Sequence, residues 1–390
     1  MLSAEARLVF RSADLSASSA SILGDGAAVT DWERALRMAE REGATGTLWR
    51  ALAGENSRLP AGAKEFLRAR TMLGDFRMRQ LASRLAATLP AFRERGVAVM
   101  LLKGAAIGAL ADPTFRLRPM TDVDLLVRDE DVLRAHEALV ASGWRPREDP
   151  RLTALLHGHQ HLPPYDDPQL PGLRVELHTR LLPADHGFHL EDAALWGSAV
   201  PAAAPFEGAL VPSLHDLLFH TCVHFAWQHQ LCFGPWRTFR AVSAICRQPD
   251  FDWATLSKAM HVRRGASAVH WTLRLASLMS GVAVPESTLR ALAPPTPDWL
   301  CAIVERWAIA QLAPGEFPLS PSVRVSEWLW RAAIRPRWSG HGAPHRLEES
   351  QRWSRTLVND EEVALLTQAG RHVREYRSWW AFLQRTVAGN

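Results

Sequence analysis

The run Asp122-Val-Asp-Leu-Leu-Val127 constrains the fold more than any other segment. Two carboxylates stand two residues apart inside an otherwise apolar stretch. The period-two alternation of a β-strand sends both to one face, about 7 Å apart along the chain. A strand this apolar is largely buried, and a pair of like charges there is costly without compensation. A divalent cation with oxygen ligands, Mg²⁺ first among them, is one compensator. An arginine such as Arg116 or Arg118 against Asp124, with Asp122 capping a loop, is another. The D-x-D spacing alone does not choose between them.

The flanking segments add to the pattern. Val97–Leu102 reads as a short buried strand that delivers Lys103-Gly104 at its carboxyl end, where the small-residue helix AAIGALA begins and stops before Asp112-Pro113. A helix N-terminus with free amides and a nearby ammonium suits a triphosphate, and Gly104 allows close approach. The bland alternative is a glycine at a tight turn and a lysine reaching solvent. Downstream, Leu173-Arg-Val-Glu-Leu-His178 reads as a strand with Glu176 and His178 on one face. Glu176 is then either a third carboxylate or an ion-pair partner of Arg174 or Arg180.

Three regions follow from periodicity. Residues 1–95 are a helical segment, with Trp32, Leu36, Met38, Phe66, Leu67, Met72 and Phe76 at helical spacing and Gly96 as the closing signal. Residues 96–211 are a mixed α and β unit, in which His157–Tyr165 and Leu173–Leu181 are predicted strands and Glu130–Ser142 a helix. Residues 212–390 return to helix and hold twelve of the sixteen tryptophans after residue 226. The fold class expected is α+β.

Hydrophobic residues make up 47% and charged residues 22% of the chain, the balance of a globular protein. No run reaches the ~18 apolar residues of a membrane span, because Lys103 interrupts VAVMLLKGAAIGALA. With no signal-like N-terminus, the expected location is cytoplasmic. Cys222, Cys232, Cys246 and Cys301 have no metal-type spacing and are expected to be reduced and inert. A net charge of +4 with no basic, aromatic-interleaved stretch argues against nucleic-acid partners.

The segment LLKGAAIGALADPTFRLRPMTDVDLLVRDEDVLRAHEALVASGW, followed by VELHTRL, resembles the uncharacterised bacterial nucleotidyltransferases of the DNA polymerase beta superfamily. Its three ordered pieces are Lys103-Gly104, Arg118-Pro-Met-Thr121-Asp122-Val-Asp124, and Glu176-Leu-His178. The resemblance implies a polymerase-beta-like mixed sheet with Asp122 and Asp124 on one strand and Glu176 on a neighbour, together holding one or two Mg²⁺ ions. It implies an NTP as co-substrate, bound through Lys103, Gly104, Arg118, Thr121 and His178, and transfer of NMP to a hydroxyl of a small-molecule, peptide or protein acceptor. The C-terminal region would bind that acceptor. The wider superfamily carries Gly-Ser or Gly-Gly at the phosphate turn, whereas Ala105 follows Gly104 here; Lys103 is the candidate replacement for the serine hydroxyl.

Two other readings stay open: an NTP-binding scaffold without catalysis, and a toxin-like transferase directed at RNA. The histidines also leave a choice. His157, His159 and His161 alternate along a predicted strand, and His220 and His224 stand one helical turn apart, so each group is either a zinc site or polar packing and acceptor contacts.

Overall fold

A computed structural model describes residues 2–54, 59–112, 114, 119–147, 161–182, 187–313 and 323–334. The N-terminal helices are α1 (Ala4–Arg11), α2 (Ser19–Ala27), α3 (Trp32–Glu42), α4 (Thr45–Leu52) and the long α5 (Ala61–Glu94). The mixed unit runs β1 (Met100–Leu101), α6 (Lys103–Leu110), β2 (Asp122–Leu126), α7 (Val132–Ala141), β3 (Arg145–Pro146), β4 (Tyr165–Asp166), β5 (Arg174–His178), α8 (Asp192–Ser198), β6 (Val200–Pro201) and β7 (Leu210–Val211). Beyond it come α9 (Leu214–Val223), a π-helical turn at His224–Gln228, α10 (Pro235–Cys246), α11 (Trp253–Val262), α12 (Ala266–Ser280), α13 (Glu286–Leu292), α14 (Asp298–Leu312) and α15 (Val323–Ile334). This is the α+β class expected.

One mixed sheet has the order β3-β4-β5-β2-β1-β7-β6. Its centre is the parallel pair β2 and β5, in register as Asp122↔Arg174, Val123↔Val175, Asp124↔Glu176 and Leu126↔His178. Tyr165 of β4 lies opposite Val175 and bonds His136 of α7, 3.0 Å away, so the Val123–Val175–Tyr165 face is the one that α7 covers. Alternation then directs Asp122, Asp124 and Glu176 to the other face.

Local chemistry explains the boundaries. Ser3, Ser18, Asp31, Ser213 and Asp252 cap α1, α2, α3, α9 and α11 through their side-chain oxygens. Gly96, at φ 65°, turns the chain out of α5 toward the sheet, as the glycine signal predicts. The predicted strand 97–102 pairs only at Met100–Leu101, because Leu102 has already turned to cap α6. Predicted strand 157–165 falls mostly outside the described residues; β4 is its end.

The helices on either side of the sheet share one apolar core. Trp236 of α10 donates to the Ser12 hydroxyl at 2.9 Å, and the buried Arg240 pairs with Asp112 at 2.9 Å while its other nitrogens reach Ser12 O and Thr114 Oγ1. This buried guanidinium, paired and multiply bonded as its desolvation requires, ties α10 to α1 and to the end of α6. No helix among the described residues is long and apolar enough to cross a membrane.

Candidate active site

The candidate centre forms where β1 ends, α6 begins and the paired strands β2 and β5 bring their polar residues together. Leu102 N–H donates to Asp124 C=O at 3.0 Å, which fixes the start of α6 against β2. Lys103 then adopts a left-handed φ of 45°, a conformation that costs a non-glycine residue of order 1 kcal/mol. That turn brings its ammonium onto Asp124 Oδ1, 2.7 Å away. His178 Nε2 reaches the same oxygen from β5 at 2.9 Å. Because Asp124 accepts, Nε2 carries the proton, and Nδ1 is left buried without a partner among the described residues.

Burial would raise the Asp124 pKa, but the His178 hydrogen bond and the Lys103 charge outweigh it and hold the carboxyl well below the usual range. At His178 burial wins instead: it lowers the pKa against the pull of Asp124, so the ring donates as a neutral imidazole. Asp124 is therefore a buried, permanently ionised carboxylate, compensated by a lysine and an imidazole rather than by an arginine.

Asp124, Glu176 and His178 each offer a ligand atom within 4.8 Å of the others, the one such group among the described residues. The donor set suits a divalent cation with a qualification. Both hydrogen bonds to Asp124 end on Oδ1, leaving Oδ2 for a metal; the half-buried Glu176 supplies a second oxygen, while His178 Nε2 is occupied as a donor. The fit is thus to a hard, oxygen-preferring ion such as Mg²⁺, with His178 orienting the carboxylate.

The other residues singled out from sequence are placed as follows. Asp122 is exposed at the start of β2 and stands outside the close group, on the same face. Thr121 is exposed, its carbonyl accepting from Arg174 N–H at 2.9 Å, and Gly104 is the second residue of α6. Arg118, His157 and His159 lie outside the described residues. His161 bridges to His178, ring centroids 5.2 Å apart.

The family model for uncharacterised nucleotidyltransferases matches residues 28–281, from the turn before α3 to the end of α12. The chain belongs to this family. Among solved structures, this nucleotidyltransferase is similar to the solution structure of the antibiotic-resistance factor ANT(2'')-Ia, at 14% identity, covering 51% of this chain and 95% of that chain with a TM-score of 0.33. A comparison with curated proteins found no match.

The nucleotidyltransferase also carries a row of imidazoles beside the carboxylates that sequence periodicity did not resolve. His220 and His224 lie one turn apart with ring centroids 6.1 Å apart, as the i, i+4 spacing requires. His229 would fall on another side of an ideal α-helix. The π-turn at His224–Gln228, closed by His229 N–H to His224 C=O at 3.0 Å, brings its ring to 4.3 Å from His224.

Burial drives the His220 pKa down to about 3, and the nearby Lys103 and His178 reinforce this; His224 is also well below the ordinary value, first through burial and then through Lys103. The unfolded chain, with imidazoles titrating near 6.5, therefore takes up protons that the folded protein refuses. Stability is complete above about pH 6.5 and falls as the pH drops from there toward the folded values. Between about pH 7.5 and 5.5, the fully buried His220 is expected to remove about 1.4 kcal/mol of stability. The melting temperature should fall measurably over this interval, and less so in His220→Gln; a flat wild-type profile would contradict this.

Proposed function

We propose that the enzyme moves a nucleoside monophosphate from an NTP to a hydroxyl of a small-molecule, peptide or protein acceptor, in a Mg²⁺-dependent reaction. One observation carries the proposal: the parallel register sets Glu176 beside the ionised Asp124 on the face where Lys103 opens α6. Asp124, through Oδ2, and Glu176 would hold the metal, with Asp122 at the rim of the same face. When bound, Mg²⁺ would neutralise charge on the triphosphate and on the attacking and leaving oxygens.

Lys103 has two possible anionic partners, Asp124 and a triphosphate. Its ammonium sits on Asp124 while its backbone opens α6, so β and γ oxygens arriving at that helix start would compete with the carboxylate for it. Gly104 would allow the chain to approach the phosphates, and Thr121, just before β2, would add a polar contact. The acceptor hydroxyl attacks the α-phosphorus in line as its proton passes to Glu176; the bond to the β-phosphate oxygen breaks and pyrophosphate leaves. The helices after Pro212, rich in tryptophan, would shape the acceptor pocket.

Lys103→Ala is expected to weaken Mg-NTP binding by about ten- to a hundredfold, the worth of a hydrogen bond to a charged group, while NMP binding changes little. Calorimetry with both ligands separates the cases, and equal losses would make Lys103 purely structural. For the function itself, the protein is incubated with each NTP, Mg²⁺ and cell extract, and products are read by mass spectrometry. A component that gains the mass of one NMP supports the proposal; pyrophosphate-free turnover, or no nucleotidylated product with any NTP, speaks against it.

A further inference from the structure

We propose that His220 and His224 form one wall of the β,γ-phosphate pocket, donating ring N–H groups to the phosphoryl oxygens whose charge Lys103 neutralises. The inference rests on the NTP reading above and assigns to α9 a part of the same site.

The placement is built by packing. Helix α9 lies against α6, whose first residue is Lys103. His220 and His224 are both near enough to Lys103 and Asp124 to feel their charges. His220 is only 2% exposed, yet neither imidazole has a hydrogen-bond partner among the described residues. The ring nitrogens of neither residue are among the fully enclosed unpartnered atoms, so they open on accessible space beside the start of α6, where a ligand can complete their bonding.

The scaffold behind the pair is rigid. His229 Nδ1 donates to Phe233 C=O at 3.1 Å, which fixes that ring where the π-turn sets it against His224. Within the π-turn, the Ala226 carbonyl receives Trp330 Nε1–H at 2.6 Å. A π-turn sacrifices regular helical bonding, and such turns recur where a helix must aim side chains at a ligand.

Two other occupants fit less well. For a metal ion, the only group of His, Cys, Asp or Glu atoms close enough among the described residues is Asp124–Glu176–His178, which excludes the imidazole row. An acceptor hydroxyl must reach the α-phosphorus on the side of Glu176, whereas the shared charged neighbour of His220, His224 and His229 is the Lys103 ammonium. Beside a cation, the ligand that gains most is an anion with several acceptor oxygens, and a triphosphate supplies them.

The test uses Mg²⁺ with inorganic tripolyphosphate, which needs no knowledge of the base, and AMP, GMP, CMP and UMP as controls. Full-length wild type, His220→Gln, His224→Gln and the surface variant His215→Gln are titrated by calorimetry. Tripolyphosphate affinity is expected to fall about tenfold or more in the first two variants and not in the third, with monophosphate binding unchanged. Should a Gln variant fold poorly, ring resonances of the wild type labelled with ¹⁵N-histidine decide: those of His220 and His224 should move on adding tripolyphosphate, and those of His261 should not. Wild-type binding with indifferent histidine variants and unmoved ring signals overturns this inference alone. Wild type that binds neither tripolyphosphate nor any Mg-NTP overturns the proposed function as well.

Discussion

Asp124→Asn is expected to lower nucleotidyl transfer by about a thousandfold or more, far beyond what the moderate drop in melting temperature from leaving the Lys103 ammonium without its counter-charge explains. The substitution keeps the shape of the side chain and the oxygen that accepts from both Lys103 and His178. What it replaces is Oδ2, the atom left for a cation, by an amide that presents hydrogens instead of lone pairs. Loss of several kcal/mol of transition-state stabilisation in a protein that still folds is the signature of a metal ligand. Asp122→Asn should cost less, because Asp122 is exposed and stands outside the close group. Assays of turnover beside thermal melts check both, and an active Asp124→Asn enzyme would remove the site from β2.

Glu176→Gln is expected to reduce kcat by about a hundredfold or more with NTP affinity changed little. Glu176 is half-buried on β5, in register with Asp124, and 3.9 Å separates its Oε2 from His178 Nε2. A glutamine there keeps size and polarity but neither takes a proton nor offers a charged oxygen to a metal. The NTP would still meet Asp124, Lys103 and the imidazole row, so the deficit should appear in the chemical step. Single-turnover rates against equilibrium binding separate the two. If kcat holds and only the melting temperature falls, Glu176 is a structural acid.

The sequence was most informative where period-two alternation meets charge. Asp124, Glu176 and His178 were recognisable because strands as apolar as DVDLL and RVELH do not carry such side chains idly, and the register confirms that they converge. The start of α6 at Lys103-Gly104 was equally legible from the strand-to-helix change in pattern. Three features were not. The left-handed backbone at Lys103 has no residue signature, since lysine is among the residues least suited to it, so its bond to Asp124 appears only in three dimensions. The exposure of Asp122 follows from where β2 starts, and boundaries are the least readable part of a strand. The alignment of His229 with His224 depends on a π-turn, and helical periodicity of 3.6 residues places them on different sides. Arginine partners for the buried carboxylate were a fair alternative from sequence; the protein instead uses Lys103, one of only three lysines in the chain.

The most direct test of the account is the fate of the NTP phosphates. Wild type and Asp124→Asn are incubated with NTPs labelled either at the α- or at the γ-phosphate, with Mg²⁺ and cell extract, and the label is followed into acceptor and pyrophosphate. The account predicts that α-label enters the acceptor, that γ-label leaves as pyrophosphate, and that both events vanish in Asp124→Asn. Transfer of γ-label to the acceptor, or α-label transfer that survives the substitution, would contradict nucleotidyl transfer at this site.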